Sequence, residues 1–218
     1  MKLKFDTSTR TLTIMGLILF VVIVGIIAIM PKEFKEVKKK IQITKEVEIY
    51  KLRGNATELQ KKLFDDLYNT LKAEEIDEEK YAVSIAKLFI SEYWTLINRL
   101  DREDIGGIIY IPEPLVPRFM EYANELYCFF DYYILEYRKE NLSEVTSVTL
   151  NSVKSITYNF VDSEGKIESK NNLSAYEINL SWEYNEDRTM NSKMLPSDAI
   201  LKIVKWDKYY SVLEMNVK

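Results

Sequence analysis

Residues 141–160, NLSEVTSVTLNSVKSITYNF, decide the fold class, because the apolar period changes there from three and four to two. From Val145 to Phe160 the pattern alternates through Val148, Leu150 and Ile156, as in a half-buried strand whose successive side chains point to opposite faces. Working downstream, SEGKIESKNN at 163–172 reads as a hairpin loop, and Tyr176, Ile178, Leu180 and Trp182 give a second strand. Ile200 to Trp206 makes a third strand and Tyr209 to Val217 a fourth, with Asp207 and Lys208 as the tight turn between them. These connections are too short for parallel crossovers, so the sheet is expected to be antiparallel.

Upstream of residue 141 the pattern is helical. Asn55 and Glu58 are spaced as a capping box, and Leu59, Leu63, Phe64, Leu67 and Leu71 share one face of the helix they would open. A second helix is expected from about Glu78 to Leu100, burying Tyr81, Ala82, Ile85, Phe89, Tyr93, Leu96 and Ile97, with Trp94 broadening that face. In DREDIGGIIYIPEP, Gly106 and Gly107 mark a turn, Ile108 to Ile111 reads as a short apolar strand, and Pro112 and Pro114 end it. A third helix should start near Pro114 or Pro117 and run to about Lys139 through Phe119, Leu126, Phe130 and Ile134. Helices followed by strands define an α+β domain over 55–218.

Further upstream lies TLTIMGLILFVVIVGIIAIMP, residues 11–31, with no charge between Arg10 and Lys32. About twenty apolar residues in helical form cross a hydrocarbon core of about 30 Å. Thirteen of these residues are Leu, Ile, Val or Phe, and at about 0.4 kcal/mol each they favour insertion by about 5 kcal/mol. A buried core helix of this length would show a polar face, and this stretch has none. The reading is a transmembrane helix at 11–31, a cytoplasmic tail at 1–10 and a juxtamembrane spacer at 32–54. The spacer's IQITKEVEIY at 41–50 is strand-like or extended.

Lys2, Lys4 and Arg10 place the amino terminus in the cytoplasm and the following domain outside the cell membrane. Lys32, Lys35, Lys38, Lys39 and Lys40 weigh the other way, so the charge pattern alone leaves the orientation open. The lysine run is either a solvated stretch or a contact with anionic headgroups.

A formal net charge of −4 with interspersed signs argues against a nucleic-acid footprint. The absence of histidine removes the commonest general base and metal ligand. The single cysteine, Cys128, excludes an intramolecular disulfide and, inside an apolar run, reads as a small buried hydrophobe.

The segments NATELQKKLFDDL at 55–67, AKLFISEYWTLINRLDREDIGG at 86–107 and ENLSEVTSVTL at 140–150 are similar to uncharacterised membrane proteins of low-GC Gram-positive bacteria. The order of helices, short strand, helix and meander resembles the NTF2-like superfamily. With its span and spacer, the chain resembles the VirB8-like and TcpC-like components of conjugation and type IV secretion machines. The resemblance implies a cone in which a curved antiparallel sheet wraps about three helices. It also implies a membrane-anchored scaffold that contacts other envelope proteins and, as VirB8-like domains do, associates with itself.

NTF2-like enzymes work with acids and tyrosines inside the cone, which would single out Asp104, Tyr93, Tyr110 and Asp131. Against that, Asp101 to Asp104 read as a solvated loop, and the tyrosines as amphipathic core residues. The acid pairs Asp65 with Asp66 and Glu78 with Glu79 lack a calcium-loop pattern and read as solvated faces. The Asn-x-Ser/Thr triplets at Asn55, Asn141 and Asn172 carry little weight in a bacterial protein. The expectation is therefore a non-enzymatic scaffold with no catalytic, cofactor or metal residues. The alternative is a tethered small-ligand binder or enzyme. A sealed apolar interior favours the first, and an open cavity of roughly 300 Å³ with convergent polar groups favours the second.

Overall fold

The computed structural model describes residues 42–162, 165–190 and 195–217. The tail, span and lysine run expected over 1–40 lie outside them. Among the described residues no helix is long and apolar enough to cross a membrane.

A hairpin comes first, β1 (Ile43–Val47) against β2 (Tyr50–Arg53). The alternation in 41–50 does make a strand, but not a free spacer, because Val47, Tyr50 and Leu52 are buried in the main core. The Tyr50 hydroxyl donates to the Tyr210 carbonyl at 3.0 Å and shares a 2.7 Å hydrogen bond with the Tyr81 hydroxyl. A buried hydroxyl without those partners would cost more than the ring gains, so the pairing fixes where the hairpin sits.

Helix α1 (Glu58–Leu71) is opened by a capping box, as the sequence suggests, but two residues later than Asn55 and Glu58. Thr57 accepts from the Gln60 N–H and the Gln60 side chain accepts from the Thr57 N–H. Asn55 instead donates to the Asn98 carbonyl at 2.6 Å. Leu63, Phe64 and Leu67 form the buried face and pack on helix α2 (Glu78–Tyr93), which is buried on nearly every side.

Helix α2 stops at Tyr93, seven residues before the expected Leu100. Its terminal carbonyls find other donors. Ser143 Oγ donates to the Trp94 carbonyl at 2.8 Å, and Arg99 reaches back to the carbonyls of Thr95 at 3.1 Å and Glu92 at 2.7 Å. A cation over a helix carboxyl terminus also complements its dipole. Because Leu96 and Ile97 donate their N–H groups to the Ser143 carbonyl, the chain turns onto the sheet there.

Residues 108–111 are not a strand. Ile108–Tyr110 is a single 3-10 turn, entered through Gly107 at φ 78, and a second short turn follows at Glu113–Leu115. The expected third helix is two: α3 (Val116–Tyr127) and α4 (Phe130–Tyr137). The break at 128 and 129 lets Ala123, Tyr127 and Phe130 all point inward, which carries Cys128 and Phe129 to the surface. The expectation of a buried Cys128 is therefore corrected: it is exposed.

The sheet is antiparallel in the order β3 (Val145–Phe160), β4 (Lys170–Tyr184), β5 (Asp198–Trp206) and β6 (Tyr209–Val217). Its register sets Ile178 beside Leu201, and Tyr176 beside Ile203, which in turn lies beside Val212. The apolar face so made covers α2, and the architecture is α+β with a curved sheet. Curvature follows from irregularities on β3 at 145–147, 150–152 and 158–160 and on β5–β6 at Lys202 and Ile203, each adding local twist. A flat sheet would hold β3 and β6 about 14 Å apart, yet Tyr158 on one edge strand donates to Glu214 on the other at 2.8 Å.

Candidate functional site

The four residues singled out by the enzyme reading are not assembled. Asp104 is held in a forked pair with Arg53, Nη1 to Oδ1 at 2.8 Å and Nη2 to Oδ2 at 2.6 Å, while Arg99 Nη1 lies 3.8 Å from Oδ1. It also accepts from the Leu100 N–H at 2.8 Å. Burial on its own would raise this carboxyl, but the Arg53 hydrogen bonds and the two guanidinium charges outweigh it and hold Asp104 below its ordinary value. A carboxylate so occupied is a poor proton acceptor, and the solvated-loop reading of Asp104 is corrected to a half-buried ion pair.

Tyr110 is fully buried and donates to Glu92 at 2.7 Å, with burial and Glu92 pushing its hydroxyl well above the usual tyrosine range. Burial does the same to Tyr93, whose backbone carbonyl accepts from the Tyr127 hydroxyl at 2.9 Å. Asp131 is exposed on α4. Among the described residues no hydrogen bond or ion pair joins any two of the four. Of the acid pairs, Asp65 pairs with Lys45 at 2.8 Å and Glu78 with Lys205 at 2.7 Å, while Asp66 and Glu79 are exposed.

Two features of the described surface bear on a site. One is a cavity of about 300 Å³ beneath α3. Phe89 of α2 and Phe119 of α3 stand on one side, their rings 5.8 Å apart, with Leu115 beside them. Across the cavity are Tyr158 and Phe160 of β3 and residues 212–215 of β6. Its two charged lining residues are each paired with a residue outside the lining: Arg118 with Asp162, and Glu214 with Lys202 at 2.7 Å. The volume reaches that of a small ligand site, while the walls are mainly apolar.

The other feature is the outer face of α4 together with Phe129, the residue that precedes it. Phe129, Tyr132 and Leu135 are 51%, 57% and 84% exposed, three residues apart along the chain. Phe129 and Tyr132 each contact the ring of Tyr133, with centroids 6.3 and 6.2 Å apart. Scattered surface apolar residues need no explanation, whereas apolar side chains grouped on one surface are characteristic of contact surfaces. None of these three belongs to the apolar stripe Phe119, Leu126, Phe130 and Ile134 that periodicity assigns to the core, so the sequence leaves them off the inner side without marking them as a surface patch.

No family model, curated protein or solved structure matches the chain.

Proposed function

We propose that the chain is a non-enzymatic, single-pass membrane protein whose folded unit lies outside the cell membrane and docks other envelope proteins. Residues 11–31 are its anchor, and its partners belong to an assembly of the conjugation or type IV secretion kind. The helix-then-sheet order and the curled sheet support an NTF2-like cone of the VirB8 type.

The observation that carries the docking reading is the exposed Phe129–Tyr132–Leu135 face. Each such side chain contributes about 1.5–3 kcal/mol when it leaves water, enough for a small set to dominate a contact. The dispersal of the candidate acids and tyrosines, with Asp104 bound to Arg53 and Tyr110 to Glu92, supports the non-enzymatic part.

The test is extraction of the intact protein from its own membranes in mild detergent, followed by native mass analysis. Wild type should migrate as a complex larger than the monomer, formed with other proteins or with further copies. The variant carrying Phe129→Ser, Tyr132→Ser and Leu135→Ser should be monomeric. A monomeric wild type, or complexes untouched by the three changes, would overturn the reading.

A further inference from the structure

We infer that the cavity beneath α3 is a binding site for a small, uncharged, ring-containing apolar molecule. Its volume of about 300 Å³ is what about ten waters occupy in the liquid, at the lower end of small-molecule sites. Rings line it on both sides, Phe89 and Phe119 from the helices, Tyr158 and Phe160 from the sheet. Flat rings pack on such walls in offset or edge-on geometry and gain contact beyond their area.

The charge of the ligand follows from how the wall's own charges are used. The Arg118 guanidinium pairs with Asp162, whose other oxygen accepts the N–H groups of Lys166 at 2.6 Å and Ile167 at 2.7 Å. Glu214 pairs with Lys202 at 2.7 Å and accepts from Tyr158 at 2.8 Å. An anionic ligand would have to compete with Asp162 for Arg118 while lying near Glu214, and a cationic one would have to compete with Lys202 while lying near Arg118. Either exchange breaks a part-buried pair and leaves a charge poorly compensated. An uncharged ligand disturbs neither pair.

One polar handle remains. Tyr122 lines the cavity while 41% exposed, and its hydroxyl has no hydrogen-bond partner among the described residues. That hydroxyl is free to donate to a single acceptor on the ligand, such as a carbonyl oxygen. The site therefore takes two rings and one acceptor, without a charge.

Benzophenone has that composition and, once irradiated, attaches to nearby C–H bonds, so it reports its own position. The intact protein in detergent would be irradiated with benzophenone or with its carboxylated counterpart, benzoylbenzoate, and the adducts mapped by peptide mass spectrometry. Saturable benzophenone adducts are expected on residues 119–122 or 212–215, at least tenfold fewer with benzoylbenzoate. Leu213→Trp, which fills the cavity, should abolish them. Should that variant fail to fold, Tyr122→Phe keeps the ring and carries the test, lowering apparent affinity about fivefold for one lost hydrogen bond. Adducts confined to 129–137 or 11–31, or adducts unchanged by Tyr122→Phe, would overturn the assignment. Equal or stronger labelling by benzoylbenzoate would overturn its uncharged character.

Discussion

Replacing Asp104 by alanine should destabilise the fold without exposing any reaction. The carboxylate takes two guanidinium hydrogen bonds from Arg53 and lies 3.8 Å from Arg99, which is 1% exposed. Removing one partner of such a buried pair costs about 3–5 kcal/mol, because it strands the other charge. Arg99 keeps its bonds to the Thr95 and Glu92 carbonyls, which soften that loss, so about 3 kcal/mol is expected. For a unit of this size that lowers Tm by about 6–12 °C.

The assay is thermal unfolding of the full chain followed by circular dichroism at pH 7. Arg53→Met combined with Asp104→Leu should recover much of the loss, since an apolar pair leaves only Arg99 to be satisfied. The pH dependence has a fixed sign. The folded Asp104 carboxyl is held below its unfolded value, so its stabilisation is complete above the unfolded value near pH 4 and lost as pH falls through the folded one. The Tm difference between wild type and Asp104→Ala should therefore shrink on acidification below about pH 4. An unchanged Tm at neutral pH would refute the ion-pair account of this residue.

Gly106→Ala would place a Cβ 2.0 Å from the Glu92 carbonyl oxygen, and at least about 3 kcal/mol of destabilisation is expected in the same melt. Gly165→Ala meets nothing within 4 Å and has φ 67, so only the left-handed backbone cost of about 1 kcal/mol should appear. Cys128, the sole cysteine, is exposed. It should react stoichiometrically with a maleimide in the folded protein, and on intact cells a membrane-impermeant maleimide should label it if the folded unit faces outward. Tyr50→Phe removes the hydroxyl shared with Tyr81 and Tyr210, and a loss of about 1–2 kcal/mol should show in chemical denaturation.

What the sequence made legible was local. Strand β6 and the Asp207–Lys208 turn coincide with their alternation and turn residues, and α1 buries the Leu63, Phe64 and Leu67 face that its period indicates. Breaks without Gly or Pro were not legible. Apolar spacing runs through 119–137 without interruption, although the helix parts at Cys128, so one helix was expected where there are two and Cys128 was expected inside. Ile108 to Ile111 failed for a related reason, since a short apolar run does not distinguish a strand from a buried turn. Contacts between distant segments leave no periodic trace. Arg53 finds Asp104 across 51 residues, and the cavity draws its walls from α2, α3, β3 and β6. The charged run at 101–104 therefore looked solvated although its last acid is paired.

Docking through the outer face of α4 is tested most directly by a photoreactive amino acid at position 135, irradiated in intact cells that make the protein. Discrete adducts of fixed mass are expected from position 135 and should disappear when Phe129→Ser is added. The same probe at exposed Lys154 on β3 should give none of them. An absence of adducts at 135, or the same adducts from 154, would contradict a docking role for this face.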